Sequence, residues 1–415
     1  MQNNRCPICD SEDTSPLIDL GDQPPANELT DTLQSALSVR KSKLSLAICN
    51  SCLYVWLPEP VSGNDLFAQN TYLSGISTQT KSDLKELAED SIRECKLKTS
   101  SVVLDIASND GTLLENFVQK GMRIIGVDPS KPAYEIATAK GIPTINDFFT
   151  ITVAKQIAKT VGYVDLITGA NIITHVPDPI AFLNSCKDVL QKSGSIVLEF
   201  YYFESLLKNV AFDQIYHEHF SYFNLHTFIQ VVAEAGLELY NARIVDAQGG
   251  SLRVFISFPN VKEINSSVHD ILISEGSLRD MRTRYMVFSK QVAQRKMEII
   301  DMMKKIKEQG KRIIGYGASA KATVLLNYLN LDTNSIICIG DNSQLKENKF
   351  IPGVGIPVVN PGRLLSTNPD LVIIFSWNLK LEILDFLNNL FNRRTLAVTF
   401  MPEIEFHEIV PKGSS

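Results

Sequence analysis

Ser101-Val102-Val103-Leu104-Asp105-Ile106-Ala107-Ser108-Asn109-Asp110-Gly111-Thr112 is the stretch whose reading decides the fold. Ser101–Ile106 is a short apolar run suited to a buried parallel strand. The small and turn-forming residues after it end that strand, and Thr112-Leu113-Leu114 opens a helix. Met122-Arg123-Ile124-Ile125-Gly126-Val127-Asp128 is then a second strand closed by an acid. Together they form a βαβ unit, with Asp128 placed to accept from a ribose hydroxyl pair. A dinucleotide site would want G-x-G-x-x-G at the first turn, where only Gly111 stands. Asp105 at the end of the first strand, the tight turn, and Asp128 suit S-adenosylmethionine instead. That molecule has no pyrophosphate to seat on a glycine-lined helix start, and its ammonium group favours a carboxylate.

Working outward, Asp147 in Ile145-Asn146-Asp147-Phe148-Phe149 follows a third strand and is placed to meet an adenine amino group. Val164–Asn171 reads as a fourth strand, with Asn171 and His175 at its C-terminal end, where open α/β sheets bind ligands. Ser195–Phe200 is the fifth. The expectation is an α/β chain with a class I methyltransferase, Rossmann-like core. Asp105, Ala107, Asn109, Gly111, Asp128, Asp147, Phe148 and Asn171 are its candidate cofactor contacts. A generic Rossmann-like domain is the plainer alternative.

The chain of 415 residues is long enough for several domains, and 44% apolar with 21% charged residues is a globular composition. A net charge of −6 argues against nucleic acid or an anionic membrane surface as partner. No long apolar run is present, so a cytoplasmic protein is expected. Of seven cysteines, Cys6 and Cys9 form one Cys-x-x-Cys pair and Cys49 and Cys52 another. Without a secretion signal, paired cysteines favour metal over disulfides. Four thiolates close a tetrahedral Zn²⁺ site with no open position, so the metal should hold the fold and take no part in chemistry. The segment between the pairs must loop out and return. It contains the turn-rich Leu20-Gly21-Asp22-Gln23-Pro24-Pro25-Ala26-Asn27, and Tyr72 lies at the exit of the region.

Ile215-Tyr216-His217-Glu218-His219-Phe220-Ser221-Tyr222-Phe223 concentrates proton-handling groups among apolar residues. In an extended segment His217 and His219 would share one side, Tyr216 and Glu218 the other. Such a cluster suits acid–base chemistry near neutral pH, although a hydrogen-bonded cluster that only fixes a loop has the same residues. From about Ser267 to Gln309, apolar residues at three- and four-residue steps (Met281, Tyr285, Phe288, Val292, Ile299, Met303, Ile306) predict one long amphipathic helix stopped at Gly310. Beyond it, Gly315-Tyr316-Gly317-Ala318-Ser319-Ala320-Lys321 satisfies G-x-G-x-x-A, and Asp341 closes the next strand. Backbone N–H groups at that helix start, with Lys321, suit any diphosphate. Gly317, Ser319, Lys321, Asp341, Lys349, Trp377 and Asn378 are the candidate sugar-nucleotide contacts, with Lys346 nearby and by default solvated.

These strings resemble the S-adenosylmethionine-dependent sugar C-methyltransferases of deoxysugar pathways, over nearly the whole chain. The resemblance is carried by the paired Cys-x-x-Cys, Ser108-Asn109-Asp110-Gly111-Thr112, Tyr216-His217-Glu218-His219, Gly249-Gly250-Ser251-Leu252-Arg253 and the Gly315–Lys321 turn. It implies a zinc-binding domain (1–75), a methyltransferase domain (76–260), a linker helix (261–309) and a C-terminal Rossmann-like domain (310–411). It also implies methylation of a carbon, C-3′, next to the keto group of a nucleotide-linked 4-keto-6-deoxysugar (dTDP or GDP). By resemblance His219 is the catalytic base, and Tyr216, Glu218, His175, Asn171 and Tyr72 line the sugar site. Monomeric protein is expected, with neither nucleic acid nor membrane as partner. Two positions depart from the pattern: Ala107 stands where glycine is usual, and Gln248 where a histidine is expected. Two rival readings are a nicotinamide-dependent oxidoreductase acting on a nucleotide sugar, and a non-enzymatic zinc-bearing adaptor. None of the twelve tyrosines has Lys four residues on, so the short-chain oxidoreductase pattern is absent.

Overall fold

The computed structural model describes residues 5–59 and 72–411. Asn70 and Thr71, which lead into Tyr72, and the C-terminal Lys412-Gly413-Ser414-Ser415 lie outside the described residues. Packing divides the described chain into two units, each drawn from three stretches. The first takes the residues up to Ser15, Ala47–Ser205 and His219–Arg282, and the second takes Pro16–Leu46, Leu206–Glu218 and the residues from Thr283 on. Strands β1 (Thr14–Gln23) and β2 (Ser42–Cys49) therefore carry residues of both, and β3 (Val55–Trp56) belongs to the first.

The first unit is built on a seven-stranded sheet. Its strands are β4 (Val102–Ile106), β5 (Arg123–Val127), β6 (Thr144–Ile145), β7 (Val164–Ala170), β8 (Leu190–Tyr201), β10 (Glu238–Val245) and β11 (Ser251–Ser257), in the order β10-β11-β8-β7-β4-β5-β6. β9 (Ser221–Tyr222) lies outside it, antiparallel to β3. The strands from β6 to β8 run parallel, and β11 and β10 add an antiparallel edge. All five residues of β4 are buried, as expected for a strand covered on both faces. The crossover helices begin at side-chain caps: Ser130, Thr150 and Asp178 accept from the N–H groups of Ala133, Val153 and Ala181. Each such cap stabilises its helix by about 1 kcal/mol. Because β4 has β5 on one side and β7 on the other, the chain reverses direction there and opens a crevice at the strand C-termini.

The second unit repeats the principle. β12 (Ile313–Tyr316), β13 (Ile339–Gly340), β14 (Val358–Val359), β15 (Leu371–Ile374), β16 (Thr395–Thr399) and β17 (Glu405–Ile409) form a sheet in the order β14-β13-β12-β15-β16-β17. Only β17 is antiparallel. Its reversal lies between β12 and β15. The segment Pro16–Leu46 joins this unit: Thr30 and Phe350 exchange backbone hydrogen bonds at 3.1 and 2.8 Å, and Lys349 Nζ lies 2.6 Å from Asp31 Oδ1.

The single helix expected from Ser267 to Gln309 is two, Ser266–Glu275 and Leu278–Glu308. Gly276 at φ +77° breaks the run, and Ser277 and Asp280 then cap the second helix reciprocally, Asp280 N–H to Ser277 Oγ and Ser277 N–H to Asp280 Oδ2. Met281, Tyr285, Phe288, Val292, Ile299 and Met303 are buried as the periodicity requires. Among the described residues, no helix is long and apolar enough to cross a membrane.

Candidate active site

In the first unit, Cys6, Cys9, Cys49 and Cys52 bring all four sulfurs within 4.8 Å of one another. The Cys6–Cys52 and Cys9–Cys49 Sγ distances are 3.6 and 3.5 Å, close to the ~3.8 Å edge of a tetrahedral zinc–thiolate site. Each pair is followed by a left-handed residue, Asp10 at φ +56° and Leu53 at φ +63°, which curls the chain into a knuckle. The donor set fits Zn²⁺, with four protein ligands and no position left for substrate.

At the β4/β7 reversal lies a cleft of about 980 Å³. Its wall includes Tyr72, Asp105, Ala107, Asn109, Asp128, Phe148, Asn171, His175 and Gln248. Asp128 is oriented by two main-chain donors, Asn109 N–H to Oδ2 and Ser130 N–H to Oδ1, both at 2.8 Å. Burial raises its pKa against those two bonds. Asp105 is buried deeper, and burial pushes its carboxyl up to about 8, opposed by the Thr168 Oγ1 hydrogen bond at 2.8 Å. Ser108 Oγ is buried with no hydrogen-bond partner among the described residues, as expected where a polar ligand completes the wall. Ala107 adopts φ +58°, so alanine occupies the left-handed turn that glycine would take without strain, at a cost of about 1–2 kcal/mol. Asn109, Asn171 and Gln248 share that conformation. Gly111 is not part of the wall; its φ of +79° serves the turn, and a Cβ there would lie 2.9 Å from Ile142 Cγ1. Asp147 is also outside the wall: it is exposed, and its Oδ1 accepts from Phe148 N–H at 2.7 Å. Phe148 and Phe149 form the wall in its place.

The Tyr216–His219 strip is not a single extended ladder. It turns at His217-Glu218, and the division between the units falls after Glu218. In the first unit, Phe220 N–H donates to Thr174 O at 2.7 Å and Leu57 N–H to Phe220 O at 2.9 Å. These bonds seat buried His219 edge-on to His175, ring centroids 4.7 Å apart. His175 and Phe220 line the cleft. In the second unit, His217 is buried with Nε2 3.3 Å from Lys43 O, and burial lowers its pKa. Glu218 is 1% exposed, and burial pushes its carboxyl up to about 7. Tyr216 is half-buried.

At the β12/β15 reversal of the second unit, Lys321 Nζ donates to Asn378 Oδ1 at 2.6 Å and lies 5.3 Å above the Trp377 ring. Trp377 Nε1 donates to Asp213 Oδ2 at 2.9 Å. Burial lowers Lys321 to about 8 and raises Asp213 to about 6, each moderated by the other's charge. Gly317 takes φ +91°, and the buried Oγ atoms of Ser319 and Ser343 have no hydrogen-bond partner among the described residues. Asp341 accepts from Ala318 N–H at 2.8 Å and pairs with Lys346 at 3.4 Å, so Lys346 is not a solvated side chain. Lys349 is turned to Asp31.

Residues 6–67 match a zinc binding domain family, residues 80–242 a methyltransferase domain family, and residues 246–402 the C-methyltransferase C-terminal domain family. Taken together, the three matches support a C-methyltransferase. This C-methyltransferase is 29% identical to C-methyltransferase NovU of Streptomyces niveus over 392 residues, 93% of each chain. It is 27% identical over 110 residues to a ubiquinone biosynthesis O-methyltransferase of Vibrio parahaemolyticus, covering 26% of this chain and 45% of that one. A magnesium protoporphyrin IX methyltransferase from Synechocystis PCC 6803 with bound SAM aligns at TM-score 0.33 and 12% identity, over 43% of this chain and 79% of that one. The family matches and the cysteine geometry give the C-methyltransferase a methyltransferase domain and a four-cysteine zinc site.

Three features of the C-methyltransferase escaped the sequence reading. Asn109 and Asp110 clamp the segment that carries Tyr72: Asn109 Nδ2 donates to Tyr72 O, Ser74 N–H to Asn109 Oδ1, and Gly75 N–H to Asp110 Oδ2. Arg253 is fully buried and donates to Glu199 Oε2 through Nε at 2.8 Å and Nη2 at 2.7 Å. Glu199 lines the cleft, and its carbonyl accepts from Asn171 N–H at 2.6 Å. A lone arginine in an apolar strand was the available signal. Asp213, the third, carried none beyond its place ahead of the histidine strip.

Proposed function

We propose that this C-methyltransferase methylates C-3′ of a nucleotide-linked 4-keto-6-deoxysugar through an enolate, as a cytoplasmic monomer. The observation that carries this reading is His219 packed edge-on against His175, which lines the cofactor cleft. His219 is buried against the rings of His175 and Tyr222, and its imidazole is the group assigned to take the proton. The 4-keto group acidifies the neighbouring C–H; His219 removes that proton, and a donor from His175 stabilises the oxyanion. S-adenosylmethionine supplies the electrophilic methyl group, held by Asp128 at its ribose and Asp105 near its ammonium. Lys321, Trp377, Asn378 and the Gly317–Ser319 turn hold the nucleotide diphosphate, dTDP or GDP. The resemblance of the Tyr216–His219 string to deoxysugar C-methyltransferases supports the substrate class.

The test is exchange of the sugar C–H for deuterium in D₂O, with S-adenosylhomocysteine present to complete the site. Exchange should proceed without methyl transfer. His219→Asn should lower exchange and methylation together by about 10²-fold or more. Near wild-type methylation by His219→Asn, with His175→Asn dead, would move the base elsewhere.

A further inference from the structure

The stretch between the cysteine pairs is more than a connection within a zinc domain. It belongs to the second unit, anchored through Thr30 to Phe350 and Asp31 to Lys349. Pro24 and Pro25 fix their own φ, and the chain turns after them, Glu28 N–H to Pro25 O at 3.4 Å and Leu29 N–H to Asn27 O at 3.1 Å. That turn presents Asn27 to Glu218. Glu218 Oε1 accepts from the Asn27 main-chain N–H at 3.3 Å and from Asn27 Nδ2 at 3.1 Å. Its other oxygen, Oε2, is buried and has no hydrogen-bond partner among the described residues. A buried carboxylate with one oxygen held and one unpartnered asks for a donor that the protein does not supply.

We propose that Asn27 is the positioning residue of Glu218, fixing one carboxylate oxygen so that the unpartnered oxygen accepts from a hydroxyl of the methyl acceptor. This rests on the reading that Glu218 contacts the acceptor. Glu218's own main-chain N–H and the two Asn27 donors favour the charged carboxylate. Burial opposes them, and so does the like charge of neighbouring Glu28. His217, beside it in the chain, is driven toward neutrality by burial, and the charge of Lys43 is engaged by Asp19 at 3.7 Å. Asn27 is thus the side chain that works with Glu218's own N–H against burial, and removing its amide must move the titration of Glu218 upward.

The experiment is the pH profile of kcat/KM for the sugar-nucleotide acceptor, measured on the full-length enzyme at saturating S-adenosylmethionine. Asn27→Ala should move the acid limb up by about 1 unit, and Asn27→Asp, which swaps the amide donor for a like charge, should move it further. Glu218→Gln should lower kcat/KM by about 10-fold or more, and adding Asn27→Ala to it should move the limb no further. An impaired Glu218→Gln together with an unmoved limb in both Asn27 variants overturns the role of Asn27 alone. A fully active Glu218→Gln overturns the acceptor role of Glu218 and the proposal with it. If Asn27→Ala fails to fold, Asn27→Asp, which keeps the side-chain shape and the main-chain donor, gives the same reading.

Discussion

Replacing Asp105 with asparagine tests the electrostatics of the cofactor cleft most directly. Burial moves the Asp105 carboxyl from 3.8 to about 8, so between those values the native state holds a proton that the unfolded chain has released. Its folded pKa lies above its unfolded one, so the native state loses stability as pH rises through that window. The loss is about 1.4 kcal/mol per pH unit, with a ceiling of about 6 kcal/mol once Asp105 is fully ionised. The asparagine side chain would be neutral throughout, and its amide oxygen can still accept from Thr168, whose Oγ1 lies 2.8 Å from the carboxylate in the wild type. Asp105→Asn should therefore unfold at higher urea than wild type at pH 8, with the difference shrinking toward pH 5. Ligand binding should show the opposite face of the same balance. At pH 7 the empty wild-type site holds Asp105 protonated, and an ammonium ligand draws it to ionise. Titration with S-adenosylmethionine in buffers of different ionisation enthalpy should then reveal about one proton released, absent in Asp105→Asn, which binds more weakly. Parallel stability curves for the two proteins from pH 5 to 8, with no proton released by wild type, would refute the reasoning.

Three further outcomes are expected. Purified protein should hold about one Zn²⁺ per chain by metal analysis, and Cys6→Ser should lower the folded yield and metal content more than the activity of the folded fraction. Asn109→Ala removes the bonds to Tyr72 O and Ser74 N–H, and should raise KM for both substrates while shifting apo stability by only about 1–2 kcal/mol, read by steady-state kinetics and urea melts. Lys321→Ala should raise KM for the sugar nucleotide and leave S-adenosylmethionine affinity unchanged by calorimetry; the reverse pattern would exchange the two sites.

Much of the fold was legible because parallel strands covered on both faces read as unbroken apolar runs, as Val102–Ile106 and Val164–Ala170 do. The metal site was legible because four thiols in two knuckles leave little else to do. The cleft was legible at Asp105 and Asp128, whose places follow from strand ends, and less so at Asp147, where Phe148 and Phe149 take the wall and the acid points out. What the sequence hides is long-range pairing. Asn27 and Glu218 are 191 positions apart, Asn109 and Tyr72 are 37 apart, and Arg253 and Glu199 are 54 apart. No local period announces any of these. The helix break at Gly276 was written in the residue, but the apolar recurrence on both sides of it masked the stop.

The histidine strip shows why a motif of neighbours is not one chemical unit. His217 leans on Lys43 O, Glu218 on Asn27, and His219 on the ring of His175. Each environment comes from a different segment, and each sets ionisation separately: burial holds His217 toward neutral and leaves Glu218 at about 7. Adjacency along the chain fixes only that these groups travel together. What each does in acid–base chemistry is decided by the donors and apolar surface that its own side chain meets. Single substitutions across Tyr216–His219 should therefore give distinct pH profiles and not a graded loss of one activity. His217→Asn should cost least, because it replaces a neutral ring that already serves a main-chain carbonyl, while Glu218→Gln and His219→Asn each remove an ionisable group from its own setting.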